Sequence, residues 1–531
     1  MYAPALWISL ASLALVSPTS ATLLSQKPAS SWENASDQAR AFIAQLNTTE
    51  KIGIATCGYR RDGPACVGTI GKVERLGFQG ICFSDGPSGY ARSDGVSVFS
   101  SGLTAAATWD KRLIYERAVA IGEEFRAKGA HVFLGPSCGP MGRSVLGGRN
   151  WEGFGPDPYL SGVAMHASVS GIQSVGVQAC SKHLIGNEQE TQRTQTTEDG
   201  TASFANAGLD LEMPGPVSAD YGASYFGNYL LDAVNDDNVT KSRLNEMVER
   251  VLTLYFFLHQ HEDFPALDPA SATALSVNQF GYNTTQFAIK PVPARDVRGG
   301  HAKNEKDIGV FGNGAPYPAI GSVYFDYENA SISYEVGTLD QGGGSGIVRN
   351  NELIAPLDAN RERVRKQGGR VQVLLEHKDI IDGKFRSIYP IPDVCLVFLK
   401  AFAAEGRDRE SPDLDWNITK VVESVASLCS NTVVIVNGPG IVLMPWADNE
   451  NVTAILSAQY PGEEIGNSIV DALWGEAEPA SRLPYTIPTN TNDYGEPIFN
   501  LTEPSNIPDE WSVDYTEGQF IDHRHFDAMD I

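Results

Sequence analysis

The stretch from Gly147 to Glu190 constrains the fold of this chain more than any other. It begins GGRNWEGFGPDPYL and continues through a helix-like segment into VQACSKHLIGNEQE. The pattern predicts a glycine-rich loop carrying Arg143 and Arg149, then a helix from about Asp157 to Val175. Gly176 is its C-terminal stop, and an apolar strand follows, ending at Lys182 and His183. Charged groups therefore sit where a strand finishes. In parallel α/β architectures the strands are buried on both faces, so functional groups collect beyond their carboxyl ends. The stretch reads as one side of an active-site rim.

The surrounding chain repeats the theme. Ser36 to Leu46 is helix-like, and GFQGICFSDGPSGY gives a short strand ending at Asp85. TWDKRLIYERAVAIGEEFRAKG is an amphipathic helix with basic residues in its last turn and Gly129 as its stop, and HVFLGPS is another short strand. Successive strand ends thus deliver Asp85, Arg149 and Lys182–His183, the way a β/α barrel builds a site. Beyond Glu190 the pattern breaks. TQRTQTTEDGTASFANAG is polar and turn-like, LDLEMPG suggests one more short strand, and SRLNEMVERVLTLYFFLHQ is a helix. Roughly four strand–helix units fall between residues 36 and 261, where a closed barrel has about eight. The first domain is expected to be incomplete. A proline-bearing linker at 262–305 leads to a second alternating region, 306–490. Its predicted strands are DIGVFG, ISYEV, VQVLLEH, PDVCLVFLK, NTVVIVNG and VTAILSA, and its helices VVESVASLC and EEIGNSIVDALWG. The expected fold class is α/β: an incomplete (β/α) barrel-like domain, then a parallel-sheet α/β sandwich, then an extension at 491–531.

Forty Lys and Arg against 65 Asp and Glu give a formal charge of -25, which argues against nucleic acid or anionic membrane as partner. The N-terminal run, residues 1–21, has the length and small-residue ending of a signal peptide cleaved near Ala21. Eight Asn-x-Ser/Thr sequons, at Asn34, Asn47, Asn238, Asn283, Asn329, Asn417, Asn451 and Asn500, fit a secreted glycoprotein. The seven cysteines contain no C-x-x-C pair, so a metal is not expected. Cys57–Cys66 and Cys395–Cys429 are plausible disulfides, and an odd count leaves at least one thiol unpaired. Gly312 and Gly314 follow a strand, but the proline-rich continuation VFGNGAPYPAIG cannot open the helix that dinucleotide binding needs. The HRH at 523–525 reads as a solvated turn without a role.

SDGPSG, GLTAAATWD, GGRNWEGFGPDPYLSGVA, KHLIGNEQE, AGLDLEMPG, the segment KAFAAEGRDRES around Glu405, YPGEEIGNSIVDALWGEAEPASRLPYTI and FIDHRHFD occur in this order. Together they resemble the secreted fungal-type β-glucosidases of glycoside hydrolase family three. The resemblance spans nearly all of the chain after residue 21. It implies a β/α barrel followed by an α/β sandwich, with sugar held between them. It also implies that Asp85 takes the hydroxyls of a terminal glucose and that Arg149, Lys182 and His183 bind the same ring, with Arg193 and Ser345 bordering it. A carboxylate accepts hydroxyl hydrogens while Arg and Lys donate to hydroxyl oxygens, so the residue types suit the task. Glu405 matches the acid/base. Arg92 is displaced by one residue from a family arginine. The implied reaction is release of terminal glucose from small β-glucosides and oligosaccharides with retention, without metal or cofactor; a β-xylosidase of the same family is the neighbouring alternative.

Retention needs two carboxylates about 5–5.5 Å apart, an acid/base and a nucleophile. The family's nucleophile is an aspartate in an S-D-W motif shortly before AGLD, and this chain contains no SDW. It passes from Thr191 to AGLDLEMPG where the family runs through about two more strand–helix units. Asp199 is the nearby carboxylate, with no strand to present it. Sequence also jumps after HAK to NEKDIGVFG, and the chain ends at FDAMDI where relatives continue into a fibronectin-like domain. Clean losses between well-matched segments point to misread exon boundaries. The chain as written is expected to be nearly inactive, or to act as a carbohydrate-binding pseudoenzyme.

Overall fold

Two sheets, a mixed one of four strands and a parallel one of five among the described residues, organise the molecule. The computed structural model describes residues 30–531 except 59–65, 92, 94, 140, 142, 184–186, 194–200, 214, 216–223, 269–306, 319–336, 349, 351, 415–416, 478–480, 496–497 and 499–513. In the first region α1 (Trp32–Ile43) and α2 (Thr48–Ala55) precede β1 (Gly68–Ile70) and β2 (Ile81–Asp85). Next come α3 (Gly102–Ala107), α4 (Lys111–Ala127), β3 (Val132–Ser137), α5 (Pro158–Ser174), β4 (Gln178–Lys182), α6 (Thr201–Ala207), α7 (Gly227–Asn235) and α8 (Lys241–Phe257). The sheet order is β1-β2-β3-β4, with β1 antiparallel to β2 and the other neighbours parallel.

Local chemistry fixes the helices that aim these strands. Asp110 caps α4 by accepting from the N–H groups of Arg112 and Leu113, and Gly129, at φ +78°, ends the run as predicted. Asp157 caps α5, accepting from the Leu160 N–H at 2.7 Å, with Pro158 in the first turn. These two helices cover one face of the sheet, burying Phe125, Phe133, Ile172 and Val177. Each such side chain contributes roughly 1.5–3 kcal/mol of apolar burial. The helix α1 begins four residues before the predicted start, because Ser31 caps it by accepting from the Asn34 N–H.

Three expectations for this region are corrected. TASFANA is the helix α6, whose last turn is held by Arg243 Nε donating to the Ala205 carbonyl at 2.7 Å. Among its described residues LDLEMPG forms no strand beyond an isolated bridge between Thr56 and Glu212. Glu212 instead accepts from the Tyr225 and Phe226 N–H groups, turning the chain into α7. The disulfide is Cys66–Cys82, not Cys57–Cys66: the antiparallel β1–β2 pairing brings Cys66 within 5.4 Å of Cys82, Cα to Cα, while Cys57 stays a buried thiol that burial pushes up to about 12.

The second sheet comprises β5 (Asp307–Phe311), β6 (Arg370–Leu374), β7 (Val394–Lys400), β8 (Thr432–Asn437) and β9 (Val452–Ser457), all parallel in the order β6-β5-β7-β8-β9. The helices α9 (Pro356–Lys366), α10 (His377–Ile381), α11 (Ile418–Leu428) and α12 (Ile465–Trp474) flank it, and α13 (His523–Met529) closes the chain. Apolar clusters line both faces, one with α10 and α11, the other with α9 and α12. The Cys395–Cys429 disulfide expected from sequence ties β7 to the residue after α11. ISYEV, residues 1–21 and nearly all of the 262–305 linker lie outside the described residues. HRH is no solvated turn: it opens α13, and Arg524 reaches Asp157 at 2.8 Å, tying that helix to the start of α5.

Candidate active site

Asp85, Ser137 and Lys182 are the last residues of β2, β3 and β4, so the parallel strands deliver them to one rim. Lys182 Nζ lies 3.0 Å from Asp85 Oδ1. The glycine-rich loop after β3 brings Arg149, buried, to the same rim, where it donates from Nε and Nη2 to the two oxygens of Glu152 at 2.8 and 2.9 Å. That fork-to-fork pairing fixes the guanidinium plane. His183 sits among Arg149, Lys182, Glu405 and Asp85; burial together with the two cations pushes its ring down to about 3, so it is neutral at ordinary pH.

The second domain supplies the opposite wall. Glu405 lies five residues past the end of β7. Its Oε2 accepts from the Ser345 N–H at 2.7 Å, and its Oε1 is 3.2 Å from Arg149 Nη1 and 3.2 Å from Arg193 Nη2. Burial resists the charge, but Arg149, Ser345 and Arg193 outweigh it and hold the carboxyl down to about 2. Burial opposes the charge on Arg149, but Glu152, Glu405 and Glu190 outweigh it and raise the guanidinium. Gly344 makes the approach possible: at φ +126° a Cβ there would lie 2.6 Å from the Cβ of Glu405.

The structure thus gathers Asp85, Arg149, Lys182, His183, Arg193, Ser345 and Glu405 from both domains. Arg193, expected at the border of the sugar, bridges Glu190 Oε2 at 2.6 Å and Glu405 Oε1 at 3.2 Å. Asp199 and Arg92 lie outside the described residues. Three contributors escaped the sequence reading. Glu152 stands three residues after Arg149 on the same loop and locks it. Glu190 accepts from the Gly406 N–H at 2.7 Å, and burial raises its carboxyl despite Arg193. Asp408 takes four donors from the first domain: the N–H groups of Gly148, Glu190 and Thr191 and the Thr191 hydroxyl, at 2.6–3.2 Å. Glu152 and Asp408 are visible in GGRNWEG and EGRDRE, but only as further charges; nothing local says which partner each finds. Gly148 completes the joint, since a Cβ there would meet the carbonyls of Arg407 and Ala404 at 2.1 and 2.2 Å.

The arrangement can hold a polyol, with carboxylate acceptors and Arg and Lys donors in fixed directions. A cavity of about 1160 Å³ opens elsewhere, at the opposite ends of the strands beside Gly80 and His131, and belongs to no part of this rim.

Comparison with known proteins agrees with the geometry. Residues 87–199 match the glycosyl hydrolase family 3 N-terminal domain and residues 302–523 the family 3 C-terminal domain. The protein named Probable beta-glucosidase G from Aspergillus flavus is 39% identical over 617 residues, covering 95% of this chain and 74% of that protein. Two solved structures superpose with 30% identity. The β-glucosidase D2-BGL from Chaetomella raphigera has a TM-score of 0.78 over 95% of this chain and 79% of its own. The β-D-glucoside glucohydrolase from Trichoderma reesei has a TM-score of 0.76 over 94% and 79%. Matched in both of its domains and along nearly its whole length, this chain belongs to glycosyl hydrolase family 3.

Proposed function

We propose that this chain is a secreted exo-β-glucosidase by descent, built to take terminal β-D-glucose from small β-glucosides and cello-oligosaccharides, and that as written it holds sugar but scarcely hydrolyses it. Asp85, Lys182, His183 and Arg149 bind the ring, and Glu405 stands where the acid/base would stand. A compartment that permits disulfides is supported by Cys66–Cys82 and Cys395–Cys429. The charge of -25 supports a neutral sugar rather than nucleic acid or anionic membrane as partner.

The observation that carries the loss of activity is the cation clamp on Glu405. A general acid must be protonated at the start of the reaction, and a neighbouring carboxylate nucleophile favours that by like-charge repulsion. Here the groups closing on Glu405 are Arg149 and Arg193, which outweigh burial, hold the carboxyl well below the ordinary carboxylate range and so favour the charged form that has no proton to donate. The other carboxylates of the rim are each engaged by a cation: Asp85 by Lys182, Glu152 by Arg149, Glu190 by Arg193. No S-D-W aspartate exists to attack the anomeric carbon.

A missing internal segment is the cause we infer. The match to the Aspergillus flavus protein extends over 617 positions, whereas 95% of this 531-residue chain is about 504, so on the order of a hundred positions of the relative face no residue here. The outer edge of β4 has no strand partner among the described residues, which suits a loss directly after it. Sequencing the transcript across the codons for Glu190 to Asp210 tests this: additional in-frame codons including Ser-Asp-Trp are expected, and an uninterrupted junction would refute a misread gene.

Function is tested with 4-nitrophenyl β-glucoside and with calorimetry against glucose and cellobiose. The expected result is saturable binding with turnover at least ~10³-fold below the roughly 10 s⁻¹ of a typical enzyme. Ordinary turnover would contradict the loss of activity, absence of binding would contradict the sugar site, and preference for an aryl xyloside would replace glucose with xylose.

A further inference from the structure

We infer that the turn after α8 is a binding site for one borderline divalent cation of the zinc type, held by His259, His261 and Glu262. This site lies at the opposite end of the strands from the sugar rim and stands independently of the reading given for that rim.

The donors already converge. Glu262 Oε1 is 3.5 Å from His259 Nδ1 and 3.3 Å from His261 Nε2, and the three donor atoms all lie within 4.8 Å of one another. Zinc bonds of about 2.0–2.1 Å in a tetrahedron separate neighbouring ligand atoms by about 3.3–3.4 Å. Two edges of such a tetrahedron are therefore nearly in place, and the third needs a small side-chain rotation. Two imidazoles and one carboxylate favour zinc, nickel or copper over calcium or magnesium, which prefer oxygen alone. Three protein ligands leave the fourth position to water.

The frame is built rather than adventitious. Glu262 N–H donates to the His259 carbonyl at 3.0 Å, closing a turn that brings these two side chains to one side. His259 holds a left-handed backbone, φ +53°, which a non-glycine residue adopts at some cost and which often marks a functional turn. The intervening Gln260 is buried and anchors the turn to the sheet. Its Nε2 donates to the carbonyls of His131 and Gly176 at 2.8 and 2.9 Å, and its Oε1 accepts from Gln178 at 2.7 Å. The His261 ring packs edge-on against Phe256 at 5.0 Å, which orients its Nε2 toward the carboxylate. All three ligands remain partly open to solvent, with side-chain exposures of 23, 26 and 35%, so an ion has a way in. The cysteine spacing carries no metal motif; this H-x-H-E does, once the turn folds it back.

The test is equilibrium dialysis of the full chain with ZnCl₂ at pH 7.5, followed by X-ray absorption at the zinc edge. One equivalent bound with a nitrogen- and oxygen-rich shell is expected. In the His259→Asn, His261→Asn double variant and in Glu262→Gln, affinity should fall at least about tenfold. Circular dichroism shows whether those variants still fold, and Glu405→Gln, altered at the other end of the strands, should bind zinc like the parent. Should a variant misfold, Co²⁺ bound to the unaltered chain decides the matter: intense visible bands of a four-coordinate ion support the site, and the weak spectrum of a six-coordinate ion overturns it. No zinc retained at 100-fold excess, a sulfur-dominated shell, or undiminished binding by a folded double variant would each overturn it as well.

Discussion

Two parallel strands, β4 and β7, each end in a lysine at the boundary between the domains, yet they live in different surroundings. β7 is flanked by β5 and β8 and is buried along nearly its whole length, with Lys400 donating into the interior to the Gly337 carbonyl at 2.5 Å. β4 pairs with β3 alone among the described residues, and Cys180 and Ser181 on it are exposed. A parallel strand covered on both sides is the normal state of this architecture. A strand can thus present a functional end with a single strand neighbour among the described residues, without the cover that β5 and β8 give β7.

Trimming the five-stranded sheet should have the largest effect. Leu399→Ala removes a fully buried side chain from the cluster beneath α11 and is expected to cost about 2–5 kcal/mol in urea unfolding of the second domain. A cost below ~1 kcal/mol would mean that β7 is no better supported than β4. Next in size is the exchange of backbone amides. Those of β4 should exchange at least ~100-fold faster than those of β7 and β8, a difference of about 3 kcal/mol in opening free energy. Equal protection would show that β4 has a partner after all.

The sheet ends sharpen the comparison through pH. Glu405, held down to about 2 against an ordinary value near 4.5, contributes stability that is complete above about pH 4.5 and is lost as pH falls toward 2. His183, at about 3 against an ordinary 6.5, takes its proton more readily in the unfolded chain, so acid works against the fold from about pH 6.5 downward. Both act in one direction. Glu405→Gln should flatten the lower part of a plot of urea midpoint against pH, by about 1–3 kcal/mol, and an unchanged slope would mean that the Arg149–Glu405–Arg193 contact is not formed. The smallest effect is expected at Cys180→Ser, within about 0.5 kcal/mol, because that side chain is exposed on the open edge. A larger loss would place Cys180 against something that covers it.

Much of this was legible from sequence. Asp85, Lys182 and Glu405 lie at or beyond strand ends whose apolar runs are plain, and α5 runs within a residue of its predicted limits because Asp157, Pro158 and Gly176 punctuate it. What was not legible depends on contacts between distant segments. Cys82 rather than Cys57 pairs with Cys66 because of β1 register, which spacing does not encode. Asp408, in the middle of a charged run, becomes an interdomain clasp only when the loop after β4 lies against it. The bridge that Arg193 makes between Glu190 and Glu405 was hidden for the same reason.

The most direct measurement of the central claim is azide rescue on 2,4-dinitrophenyl β-glucoside, whose leaving group needs no protonation. A pocket that keeps its sugar-binding residues and lacks its nucleophile lets a small anion attack from the vacant face. The account expects little release without azide, acceleration that rises with azide concentration, and α-glucosyl azide as the product. Rapid release without azide, with β-glucose formed and no azide adduct, would contradict it by showing that a carboxylate nucleophile is present and working.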